Sequence, residues 1–259
     1  MLFGGLVSIT FRKLTPREIV GWVAQSGLTG IEWGGDVYVP HGDLAQARRV
    51  AELTVGAGLT VAAYGSYYRA GASEAAGLAF GRVLETAAAL AAPTVRVWAG
   101  DRGSAEMDAS QRAAVVADLR RIAGLAGAAG VTVSLEFHRG TLTDTNDSAA
   151  RLLAEVAHPN LRAYWQPPVA AAPAYCLAGL RALVPALTNV HAFHWLADSP
   201  TAAVARRPLA EGAAVWRPYL AEVAATGRDH FVLIEFVRDE TPEQFLEDAQ
   251  ALQTWLRRS

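Results

Sequence analysis

Glu136 and Glu235 each close an otherwise apolar run, Val131-Thr-Val-Ser-Leu-Glu136 and Phe231-Val-Leu-Ile-Glu235. A carboxylate at the end of a buried strand is destabilising unless something pairs with it. His191 sits in a similar run, Val190-His-Ala192, and Gln166 closes a further one, Arg162–Gln166. Carboxylate oxygens, an imidazole nitrogen and an amide oxygen suit a divalent Mn²⁺, Mg²⁺, Co²⁺ or Zn²⁺ better than a metal that prefers thiolate. The competing expectation is that each glutamate pairs with a basic residue such as Arg96 or Arg12. For either glutamate alone the ion-pair reading weighs at least as much as the metal; the set at matching strand ends favours a metal.

Further candidates surround this set. His41, in Val37-Tyr-Val-Pro-His41-Gly-Asp43, is expected to touch substrate or only to hydrogen-bond within its loop. His138 lies two residues beyond Glu136 on the same strand face and could orient a ligand or a substrate hydroxyl. His194 has the opposite parity to His191, which favours a structural role. Trp98 and Trp195 have the parity of a pocket and could stack on a sugar ring, whereas Trp33 and Trp165 should pack against helices. Tyr64, Tyr67, Tyr68 and Arg69, or Arg206 and Arg207, could hold an anionic substituent such as phosphate or simply be solvated. The substrate-contact set expected is His41, Tyr64, Arg96, Trp98 and His138.

Eight strand-like runs must position these groups: Leu6–Phe11, Gly30–Trp33, Thr60–Tyr64, Thr94–Trp98, Thr132–Phe137, Arg162–Gln166, Val190–Trp195 and Phe231–Phe236. Helical patterns separate them: Pro16–Gln25, Asp43–Ala57, Ser73–Ala91, Ser110–Ala129, Asp147–Ala157, Ala174–Val184, Ala213–Ala225 and Pro242–Arg257. Thr15-Pro16 and Thr241-Pro242 are helix starts, and Gly27, Gly58 and Gly130 follow helix ends. The alternation predicts an α/β fold, a (β/α)₈ TIM barrel forming one domain over residues 1–259. A doubly wound open sheet is the rival, but no Gly-x-Gly follows the first run. Parity turns Glu32, Arg96, Glu136 and His191 inward, with Ser8, Thr10 and Arg12 as a polar row on the first strand. Ala197 to Gly212 is the longest irregular stretch and is expected to lie over the active-site face as a lid.

Hydrophobic residues make up 52% of the 259, enough for a large core, and the net charge of −2 gives no field for a polyanion. Cys176 is the only cysteine, so no intrachain disulfide is available. No secretory leader or membrane-length apolar run is legible, and a cytoplasmic protein is expected. The partner expected is a small sugar or hydroxy-carbonyl substrate, with no nucleic acid and no membrane, and a homo-oligomer left open.

The chain resembles the sugar phosphate isomerase/epimerase family, the xylose-isomerase-like TIM barrels. The resemblance runs nearly end to end through Gly27-Leu-Thr-Gly-Ile-Glu-Trp-Gly34, Val95-Arg-Val-Trp-Ala-Gly100, Ser134-Leu-Glu-Phe-His138, Tyr164-Trp-Gln-Pro167, Val190-His-Ala-Phe-His-Trp195 and Leu233-Ile-Glu-Phe236. It implies a metal held by Glu136, Gln166, His191 and Glu235. Gln166 stands where the family usually has Asp, and Val169 where a histidine is common in epimerases. The implied chemistry is isomerisation or epimerisation through an enediolate, with Glu136 and Glu235 moving the proton. A dehydratase, a sugar-binding or regulatory barrel with a degenerate metal site, and an apurinic-site endonuclease-like nuclease are the alternatives. Six histidines and a mildly acidic chain speak against the nuclease.

Overall fold

The computed structural model describes residues 1–199 and 201–257. Eight parallel strands close into a barrel: β1 (Leu2–Val7), β2 (Gly30–Gly34), β3 (Thr60–Arg69), β4 (Thr94–Trp98), β5 (Thr132–Glu136), β6 (Leu161–Trp165), β7 (Leu187–Ala192) and β8 (His230–Ile234). β1 pairs with both β2 and β8, which completes the ring. The helices are α1 (Pro16–Ser26), α2 (Leu44–Gly56), α3 (Phe80–Ala89), α4 (Ala109–Ala128), α5 (Asn146–Val156), α6 (Pro173–Leu183), α7 (Ala213–Ala224) and α8 (Pro242–Leu256). This is the single-domain (β/α)₈ barrel that the alternation predicts.

Local chemistry sets the boundaries. Thr15 accepts from Glu18 N while Glu18 reaches back to the Thr15 N–H, closing a capping box at α1. Asp108 and Gln111 build the same device at α4, and Thr241 caps α8. Two apolar layers follow from strand parity. Ile31, Val95, Val97, Leu135, Val190 and Val232 face the helices in the main core. Val7, Ile9, Ala62, Ala63, Tyr164 and Leu233 form a smaller cluster inside the barrel.

Four elements depart from the expected bounds by more than two residues, and one of them is β3, which runs past Tyr64 to Arg69. The first strand is Leu2–Val7 rather than Leu6–Phe11, and Ser8–Phe11 is a 3₁₀ turn. The Gly4-Gly5 pair reads as a breaker, yet a Cβ on Gly5 would lie 2.4 Å from Gly30 O and 2.5 Å from a Leu233 methyl. Close packing inside the barrel therefore demands a residue without a side chain. Ser8, Thr10 and Arg12 accordingly form no strand row. Ser8 Oγ accepts from Gly34 N, Thr10 Oγ1 accepts from Phe236 N, and Arg12 pairs with Asp36.

Helix α3 begins at Phe80, not Ser73, because Gly77 turns at φ 89° and Ser73 and Glu74 accept backbone bonds from Arg69 and Phe80. The seventh strand spans Leu187–Ala192 rather than Val190–Trp195. Trp195–Leu196 instead pairs antiparallel with Ala205–Arg206. The segment from Ala197 to Gly212, expected to be irregular, thus holds one arm of a hairpin and a 3₁₀ turn at Leu209–Gly212. Pro200 within it lies outside the described residues. Among the described residues no helix is long and apolar enough to cross a membrane.

Candidate metal centre and active site

Residues in register on neighbouring parallel strands face the same side. Glu136 stands beside Tyr164, Tyr164 beside Asn189, and His191 beside Leu233 of the inner cluster. Arg96 stands beside Gly65 and Ser134, and Glu32 between Val7 and Ala63. All these side chains therefore point into the barrel. Glu136 is the last residue of β5 and Glu235 follows β8, so the carboxylates gather at the C-terminal mouth.

Ligand atoms of Glu136, His191 and Glu235 lie within 4.8 Å of one another, and all three residues are buried. His191 Nδ1 is 3.6 Å from both Glu136 Oε1 and Glu235 Oε2. Gln166 Oε1 lies 3.2 Å from the same nitrogen. The other ring nitrogen, Nε2, meets Glu32 Oε2 at 3.2 Å. Arg96 is 2% exposed and joins two carboxylates: its Nε donates to Glu32 Oε1 at 2.6 Å and its Nη1 donates to Glu136 Oε2. Trp98 Nε1 donates to that same Glu136 oxygen. Glu136 thus commits one oxygen to Arg96 and Trp98 and turns the other toward His191. Gly65 makes room for the ion pair, since a Cβ there would lie 2.6 Å from Arg96 Nη2 and 2.8 Å from Glu32 Oε1.

Burial opposes ionisation of Glu32, but the Arg96 guanidinium and His191 outweigh it and hold the carboxyl at about 2. Burial likewise acts against Glu136, and Arg96 with His191 still carries it well below the usual carboxylate range. Glu235 goes the other way: burial lifts it to about 7, and the Glu136 charge adds to the lift against the pull of His191. For His191, burial disfavours the charge, yet Glu235 and Glu32 raise it to about 10. Three oxygens converging on one imidazole nitrogen need a cation between them, a proton or a metal. The donor set fits a divalent ion, with Glu136, Gln166, His191 and Glu235 able to hold it and Glu32 steadying the imidazole from behind.

The remaining predicted residues divide. Trp98 and His138 stack at the site, ring centroids 4.7 Å apart, and His138 lines the adjoining cavity. That cavity is about 430 Å³ and reaches the ligand set through Gln166; Phe137, Phe193, Trp195 and Phe236 form its aromatic wall. His41 and Tyr64 form a separate pair: Tyr64 Oη lies 2.7 Å from His41 Nδ1 and donates to Val39 O, and Tyr64 packs in the layer facing the helices. Trp33 and Trp165 also lie in that outer layer, as parity predicts. The arginines considered for phosphate have partners of their own. Arg69 lies over Trp98, Arg206 pairs with Glu240, and Arg207 pairs with Glu211. Arg12, weighed as a neutralising partner, pairs with Asp36 instead of either site glutamate.

The expected site set lacks three residues that the structure brings in. Glu32 already reads as inward by parity, but nothing in its own segment names His191 as its partner. Tyr164 also has inward parity; its hydroxyl accepts from Asn189 Nδ2 and its ring sits 4.8 Å from that of His191. Phe236 enters the cavity through a left-handed backbone, φ 51°, which its sequence does not announce.

A closed parallel barrel with an acidic, imidazole-bearing mouth defines a class, and the chain belongs to the xylose isomerase-like TIM barrel family, whose model matches residues 20–258. Among curated relatives, a 3-dehydroshikimate dehydratase of Bacillus anthracis is 43% identical over 68 residues, covering 26% of this chain and 24% of that protein. The match thus spans about a quarter of that relative's length. The structure of a probable 3-DHS dehydratase from Bacillus anthracis superposes with a TM-score of 0.78 at 20% identity, over 98% of this chain and 99% of the other. D-psicose 3-epimerase from Clostridium cellulolyticum H10 superposes at 0.72 and 15% identity, over 99% and 98%. At these identities the likeness is one of fold.

Proposed function

We propose that this chain is a divalent-metal-dependent enzyme that removes a proton from the carbon beside a carbonyl of a small sugar or sugar-like hydroxy-carbonyl substrate. Isomerisation is the reading favoured. Glu136, Gln166, His191 and Glu235 would hold Mn²⁺, Mg²⁺, Co²⁺ or Zn²⁺. Such an ion supplies Lewis acidity toward the substrate's carbonyl oxygen.

The observation that carries the reading is the unequal treatment of two facing carboxylates. Glu136 is held by Arg96 and Trp98 through one oxygen and stays ionised, a ligand and a fixed negative charge. Glu235 makes neither of those bonds and faces His191 Nδ1 at 3.6 Å, so its carboxylate is the freer of the two to take a proton and give it back. One base that returns the proton to the neighbouring carbon gives an isomer. Epimerisation with a second acid on the opposite face would require Glu136 to carry a proton, which its bonds to Arg96 and Trp98 oppose. Trp98, His138 and the aromatic cavity wall supply the apolar faces on which a sugar's carbon-bound hydrogens pack and which exclude water.

The test is solvent exchange. Mn²⁺-loaded protein in deuterated water, offered a panel of ketoses and hydroxy-keto acids, should incorporate deuterium beside the carbonyl of its substrate. Glu235→Gln should lower the rate by about 100-fold or more. Full exchange in that variant would overturn the assignment of the base. Dehydration is the second reading, supported by the 68-residue match to a 3-dehydroshikimate dehydratase. It begins with the same proton and ends with loss of a hydroxyl, so a product lighter by one water decides for it.

A further inference from the structure

We infer that Glu32 is a positioning residue of the metal centre, selecting which nitrogen of His191 faces the ligand set; the inference rests on the metal reading above. The Phe231 N–H donates to Asn189 Oδ1 at 3.0 Å, which fixes that amide's orientation. Asn189 Nδ2 is then the donor to Tyr164 Oη at 3.1 Å, so the tyrosine's own proton is not spent on Asn189, and the hydroxyl favours the charged form of Glu32. Glu32 is an acceptor only: Oε1 takes Arg96 Nε at 2.6 Å, and Oε2 meets His191 Nε2 at 3.2 Å. Nε2 must therefore carry a hydrogen. A neutral His191 is left with its lone pair on Nδ1, the atom within 3.6 Å of Glu136 Oε1 and Glu235 Oε2. Arg96 and Tyr164 thus favour an ionised Glu32, and Glu32 fixes a hydrogen on Nε2, away from the metal-facing nitrogen. Glu32 does not line the cavity, and its bonds are to the imidazole and the Arg96 guanidinium.

Glu32→Gln and Tyr164→Phe are compared with the wild type by Mn²⁺ titration and, on Mg²⁺-loaded protein, by ¹⁵N–¹H correlation of the His191 ring. The wild type should bind Mn²⁺ and show His191 protonated at Nε2. Glu32→Gln should weaken Mn²⁺ by about 10- to 100-fold and lose the single ring form. Tyr164→Phe, which keeps the carboxylate and every ligand, should do the same by a smaller factor, and it alone decides if Glu32→Gln does not fold. Wild-type affinity and an unchanged ring spectrum in the folded variants would overturn the inference while leaving the metal reading intact. A wild-type protein that binds no Mn²⁺ would overturn both.

Discussion

Glu136 closes β5 and Glu235 directly follows β8, and the barrel makes different groups of them. The difference lies in what stands next door. β5 is flanked by β4, whose inward Arg96 stands beside Ser134 and reaches up to Glu136. β8 is flanked by β1, where Leu6 stands beside Ile234 and the inward position is Val7. One carboxylate meets a guanidinium and an indole N–H. The other meets apolar surface and the His191 that both share. A strand-end glutamate is therefore only a potential ligand or base; the adjacent strand decides which.

The hardest blow to this contrast is Arg96→Met. It removes the cation from two buried carboxylates at once while leaving Glu235 in place. Loss of one partner from a buried ion pair costs about 3–5 kcal/mol, and urea unfolding of the metal-free variant should show a loss in that range. A loss under about 1 kcal/mol would mean that Trp98, Tyr164 and His191 satisfy Glu32 and Glu136 unaided, and the contrast would dissolve.

Much of this site is legible in the sequence, because a barrel strand obeys a period of two and its carboxyl end is the working end. That logic suffices to place Glu136, Gln166, His191 and Glu235 at one mouth and to turn Glu32 and Arg96 inward. It does not say that Arg96 divides itself between Glu32 and Glu136. That depends on the stagger between strands, which a single segment does not encode. The shift of the first strand to Leu2–Val7 has a similar cause: Gly4 and Gly5 look like a turn until Leu28 and Leu233 are seen to occupy the space that their side chains would need. The Trp195–Arg206 hairpin is hidden because two-residue strands carry no periodicity to read.

Gln166→Glu sharpens the comparison from the ligand side. The side chain keeps its length, and its Oε1 lies 3.2 Å from His191 Nδ1, so the change adds one negative charge at the same place. Mn²⁺ affinity should rise about 10-fold, which is roughly 1.4 kcal/mol. The metal-free protein should melt lower, since three carboxylates then crowd one imidazole nitrogen. Titration calorimetry and melting curves with and without Mn²⁺ check the two signs together; unchanged affinity would place Gln166 outside the metal's reach.

The smallest effect is a pH slope in metal-free protein. Glu235, raised from 4.5 to about 7 mainly by burial, contributes stability that is fully present below about 4.5 and is lost as pH rises through 7. Glu32, lowered from 4.5 to about 2 by Arg96 and His191 against burial, contributes stability that is present above about 4.5 and is lost as pH falls through 2. Between pH 5 and 8 only the first of these two changes, so Glu235→Gln should flatten the decline of stability there. Relative to wild type, the variant should gain on the order of 1 kcal/mol at pH 8 over pH 5, read from urea unfolding in the presence of a chelator. Glu32→Gln should show a smaller gain over that window, because the carboxyl it replaces stays ionised throughout and acts there only through its hold on His191. Equal slopes in the two variants would mean that these carboxylates share one environment, contrary to the division that Arg96 imposes.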